Sequence, residues 1–196
     1  MDRLRTTRIF GALMLGACVV PLSGCIAWSP EADAEHGARQ GLASLVKESQ
    51  DRIWESRVAL TQDPEAAVAT IPGLADVRRG SAEGTWLLTD LRQDASGTAL
   101  TLTASAGGEA GGGLFFQQAT LRTCWTLLVA PEGSRVDTAS ADCAERLAAG
   151  RFPEGLAEAK VVPFDDLGVR HHVDESDYPA APCQCSSGEP CDCPGG

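Results

Sequence analysis

The 196-residue chain contains no asparagine, one tyrosine (Tyr178), three histidines and lysine only at positions 47 and 160. Without Asn there is no acceptor for N-glycosylation. With so few Lys, and a net charge of -11 at a pI near 4.6, there is no basic surface to neutralise phosphates, so nucleic acid is excluded as a partner. No Gly-x-Ser-x-Gly, His-Glu-x-x-His or phosphate-loop signature occurs. The chain is therefore read as a non-enzyme with no catalytic residues. Acidic pairs such as Asp165-Asp166 are read as solvated surface, and Arg78-Arg79 as balancing that acidic field or meeting an anion. No apolar run is long enough to span a bilayer: the uncharged stretch from Ile9 to Gly24 is about 24 Å as a helix, short of a hydrocarbon core of about 30 Å. The 43% apolar content and mean hydropathy of -0.08 are those of one globular domain with tails.

The first residues carry the most specific pattern. Arg3, Arg5 and Arg8 precede the apolar run, and Ser23-Gly24 precede Cys25, which is the layout of an export signal. No Arg-Arg pair is present among them, so general secretion is the expected route. Leu22-Ser23-Gly24-Cys25 resembles the lipobox of bacterial lipoproteins. That resemblance implies a diacylglyceryl group on the Cys25 thiol and cleavage just before it. Leu15-Gly16-Ala17-Cys18 fits more loosely, and cutting there leaves an apolar Val19-Val20-Pro21-Leu22 start with no partner, so Cys25 is preferred. Removing residues 1–24 takes away three Arg and one Asp, leaving 13 basic and 26 acidic side chains and a net charge near -13. Lipid rather than charge must then hold the protein at the outer face of the cell membrane, because anionic headgroups repel it.

Downstream, the expected organisation is a tether over 25–36, a single domain over 37–178 and a Pro- and Cys-rich disordered tail over 179–196. Leu42, Leu45, Val46, Ser49, Ile53 and Leu60 recur at helical spacing and predict a long amphipathic helix from about His36 to Leu60. Asp63-Pro64 ends it, and Glu65 to Thr70 reads as a short helix. Thr85 to Leu91 and Thr98 to Ala104, around the turn cluster Asp94 to Gly97, predict a hairpin. Gly107 to Gly113 reads as a mobile loop and Leu114 to Val129 as a long strand with a bend, or two strands in sequence. Val136 to Ala141 is expected as an edge strand, Cys143 to Ala149 as a short helix and Val161 to Phe164 as the last strand, with His171-His172 in a loop. Successive strands after one long helix predict an α+β fold with the helix packed on a twisted antiparallel sheet.

Of eight Cys, six remain after Cys18 and Cys25 are set aside, an even number in an oxidising compartment. Cys124 and Cys143 are the natural pair inside the domain. The tail cysteines Cys183, Cys185, Cys191 and Cys193 form two Cys-x-Cys pairs and admit two disulfides across their hinge. Alternatively they form a tetrahedral zinc or copper(I) site with His171 and His172 as further ligands, or a redox-active tail. With no cofactor expected outside that alternative, the functional expectation is a membrane-anchored lipoprotein that binds an unidentified protein or small molecule or supports the envelope.

Overall fold

A computed structural model of the protein describes residues 29–81, 83–143, 156 and 158–178. The helix α1 spans Pro30–Gln62. Its start is set by local chemistry: the Ser29 hydroxyl accepts from the Ala32 amide, Pro30 supplies a pre-set first position, and Glu31 and Asp33 face the positive helix end. Helix therefore replaces the extended tether expected through Glu35, and Ala34 is already wholly buried. Hydrophobic periodicity misses this first turn and a half because its buried residues are alanines. A five-residue helix α2, Pro64–Val68, follows, with Asp63 ending one helix and capping the next.

Among the described residues seven strands form one sheet: β1 (Leu74–Asp76), β2 (Trp86–Asp94), β3 (Gly97–Ala110), β4 (Gln117–Val129), β5 (Arg135–Ser140), β6 (Lys160–Val161) and β7 (His172–Asp174). The spatial order is β1-β2-β3-β4-β5-β7, with β6 beside the free part of β4. The α+β expectation holds, but the sheet is mixed rather than antiparallel. β1 runs parallel to β2, and β6 parallel to β4. After β1 the chain makes a 3-10 turn at Val77–Arg79, closed by Gly80 at φ 89°, and returns so that the Thr85 and Trp86 amides both donate to the Gly73 carbonyl. That link re-enters the sheet at the end where β1 began, which a hairpin cannot do.

The β2–β3 hairpin and the long β4 lie where the sequence pattern puts them, with β4 beginning at Gln117. Three local expectations change. Gly107 and Gly108 belong to β3, paired with Thr120 and Ala119, and α1 presses so closely on Gly108 that only glycine fits there. A Cβ at Gly108 would stand 2.0 Å from the Ala34 carbonyl oxygen and 2.5 Å from the Ala38 nitrogen. β5 is not an edge: β7 pairs with it, placing His172 opposite Asp137 in the sheet rather than in a loop. Lys160–Val161 is the extent of the strand expected through Phe164, whose ring is instead fully buried at the head of a 3-10 turn. The expected helix from Cys143, like the signal segment and the tail, falls outside the described residues beyond Cys143 itself.

The core lies between α1 and one sheet face. Val46, Ile53 and Leu60 meet Trp86, Leu88, Leu100, Leu102, Trp125, Leu127 and Val129. The indoles of Trp86 and Trp125 each find an acceptor on the helix: Trp86 Nε1 donates to the Leu45 carbonyl at 2.9 Å and Trp125 Nε1 to the Ser49 hydroxyl at 3.2 Å. The opposite face carries a smaller cluster of Ala75, Val77, Leu87 and Leu156. There too Cys124 is bonded to Cys143, with Cα atoms 5.4 Å apart.

Candidate binding groove

The unequal lengths of β2 and β3 make an opening. Their pairing stops at Leu87 opposite Thr103, whereas β3 continues to Ala110 against β4. Residues 84 and 85 turn away toward β1, held by the Gly73 carbonyl. The sheet therefore forks, and a cavity of about 770 Å³ fills the fork. Helix α1 lines it with Gly41, Ser44 and Leu45, the start of β2 with Gly84, Thr85 and Leu87, and β3 with Ala104, Ser105 and Ala106; Thr120 and Leu156 complete it. Small residues keep it open. Apolar walls with a few hydroxyls are the usual character of a small-molecule site.

Beside this groove stands a charge without a hydrogen-bond partner among the described residues. Arg122 lies on β4 directly across from Ser105 and two residues from Thr120, so its side chain shares their sheet face. It is 9% exposed, and its Nε and Nη1 meet no hydrogen-bond partner among the described residues. Burial alone pulls its guanidinium below the ordinary arginine pKa. Several other arginines are spent within the domain. Arg78 bonds Asp76 and Glu65, Arg79 joins Glu65, and Arg135 pairs with Asp137. Arg78 and Arg79 thus balance neighbouring carboxylates.

At the opposite end of the sheet a second polar cluster closes the domain. Arg170 reaches Gln50, Asp51, Asp177 and the Tyr178 hydroxyl, and Tyr178 stacks on Trp54 with ring centroids 5.3 Å apart. Arg57 covers that Trp54 ring, its Cζ 3.9 Å from the centroid. Every group here has a partner, so the cluster is a clasp between α1 and the chain end.

Of the residues singled out in the sequence, Cys25, Cys183, Cys185, Cys191 and Cys193 lie outside the described residues. His171 packs edge-on against Phe164 at 5.2 Å, with Nδ1 4.0 Å from Asp165. His172 Nε2 stands 4.0 Å from Asp174. Among the described residues no group of three or more His, Cys, Asp or Glu side chains is placed to hold a metal ion. No helix among them is long and apolar enough to cross a membrane. Arg122 escaped the sequence reading although a signal was there: it is the sole charged residue between Glu109 and Glu132. Comparison with known proteins adds no relative: no family model, no curated protein and no solved structure matches the chain.

Proposed function

We propose that the protein is a lipoprotein anchored at the outer face of the cell membrane, cleaved before and acylated on Cys25, whose domain binds an apolar molecule bearing an anionic group in the fork between β2 and β3. The anchor rests on Leu22-Ser23-Gly24-Cys25 and the basic start before it. The observation that carries the binding activity is Arg122, a buried guanidinium whose Nε and Nη1 have no partner among the described residues, on the sheet face of Ser105 and Thr120, which line the groove. Buried charges are ordinarily paired, because desolvation costs several kcal/mol, and a ligand carboxylate or sulfonate supplies the pair here. Ser105 and Thr120 add hydroxyls on the same face.

Intact mass of membrane-extracted protein tests the anchor: the expected species starts at Cys25 with added acyl mass, and an unmodified chain overturns it. The dye 1-anilinonaphthalene-8-sulfonate, apolar with one sulfonate, tests the groove by fluorescence titration. Saturable binding to the folded protein is expected. Arg122→Met should weaken it about tenfold or more, the scale of a lost charged hydrogen bond. Absence of saturable binding, or indifference to the substitution, overturns the groove reading.

A further inference from the structure

The turn between β3 and β4 presents two phenylalanines to solvent. Phe115 is 70% exposed and Phe116 47%, although a domain of this size ordinarily buries such rings. The presentation is built rather than frayed. Gly111 adopts φ 86°, and a Cβ there would stand 2.2 Å from the Phe115 carbonyl oxygen. A 3-10 turn at Gly113–Phe115 follows, with the Phe115 amide donating to the Gly112 carbonyl. Around the rings the chain carries no charge from Ala110 to Leu121.

The position of this tip matters as much as its chemistry. Ser29, Pro30 and Glu31, at the start of α1, border the same small cavity as Phe115 and Gln117. From Cys25 to Ser29 the chain spans at most about 14 Å in any conformation. A lipid on Cys25 therefore keeps the start of α1, and the phenylalanines beside it, within reach of the headgroup layer.

We infer that Phe115 and Phe116 form a second membrane contact, seated in the interfacial layer of the bilayer that holds the lipidated Cys25. This inference rests on the lipoprotein reading above and adds an orientation to it. Aromatic rings favour that layer, where apolar area is buried without crossing the bilayer. Charge does not drive the contact, since Glu31 and Asp33 stand exposed at the same end; Glu35 is paired with Lys160 at 2.6 Å. With rings and acyl chains both engaged, the domain stands with the start of α1 down and Val58, about 42 Å along the helix, away from the surface.

The test uses full-length chain purified from membranes and reconstituted in phosphatidylcholine and phosphatidylethanolamine vesicles containing brominated lipid. Two variants are compared, Phe115→Trp and Val58→Trp; Val58 is 55% exposed and far from the tip. The parent supplies the background of its own tryptophans, of which Trp54, Trp86 and Trp125 are buried. The added emission of Phe115→Trp should fall by about half, the response of an indole at the interface, with Val58→Trp unchanged. Equal quenching of both, or of neither, in protein that carries acyl mass and floats with the vesicles overturns the second contact and leaves the anchor standing. Protein that carries no acyl mass and does not float overturns both.

Discussion

Gln50 and Arg170 hold each other twice across the domain. The Gln50 Nε2 donates to the Arg170 carbonyl at 2.7 Å, and its Oε1 accepts from Arg170 Nε at 3.2 Å. The same amide also donates to Thr138 Oγ1 at 2.8 Å. Gln50 is fully buried, so one side chain on α1 fixes both β5 and the segment entering β7. Gln50→Ala removes three hydrogen bonds, leaving the buried Thr138 hydroxyl and the part-buried Arg170 carbonyl and Nε short of a partner, at an expected cost of about 3 kcal/mol. Urea denaturation measures it, and amides of residues 172–174 should exchange faster than those of β3. Unchanged stability would remove Gln50 from this role.

Tyr178 reports on the same clasp. Burial, then a hydrogen bond to Asp51 and the nearness of that carboxylate, push its pKa up to about 12, against a smaller opposing pull from Arg170. Because it is the sole tyrosine, absorbance near 295 nm follows it alone. The folded protein should titrate near 12 and the urea-unfolded chain near 10. The folded state then holds the proton longer than the unfolded chain. Its contribution to stability is complete below pH 10 and is lost as pH rises from about 10 to 12. Tyr178→Phe should abolish that alkaline loss, and a folded titration near 10 would contradict the clasp.

Arg122→Met should make the domain more stable, by about 1–3 kcal/mol, while it weakens dye binding. Removing a buried charge that has no partner among the described residues relieves desolvation, and methionine keeps most of the volume. Opposite signs for stability and binding are what a binding residue gives. A loss of both would mean that the guanidinium is structural.

Gly108→Ala should cost about 3 kcal/mol, since its Cβ would overlap the α1 backbone. Gly112→Ala is the matched control. Nothing lies within 4 Å of a Cβ there, and its φ of -173° suits any residue, so the change should stay within about 0.5 kcal/mol. Thermal melts of the two variants compare them directly. Equal effects would mean that α1 can lift off the sheet at little cost.

Elements built on large apolar residues were legible in the sequence. Leu42, Val46, Ile53 and Leu60 mark α1, and the alternation of Leu100, Leu102 and Ala104 against Thr101 and Thr103 marks β3. What escaped was carried by small or polar residues. Ala34 extends the helix without raising its hydrophobic periodicity, and Gly108 is a strand residue lying under a helix that leaves no room for a Cβ. β7 has a single buried residue, Val173, and so no alternation to detect. The groove depends on where β2 stops relative to β3, a register that composition does not encode. Arg122 was visible as an isolated charge, but its want of a partner is a fact of three dimensions.

The helix–sheet seam at Gly108 also bears on how this domain can change over generations. The three atoms nearest a Cβ there, Ala34 O, Ala38 N and Ala34 C, all belong to the main chain. Shrinking a neighbouring side chain therefore makes no room, and a genetic screen for second-site suppressors of Gly108→Ala should return only true revertants or changes that re-seat the whole helix. Drift at this position is closed off by backbone geometry, whatever the rest of the surface is free to do.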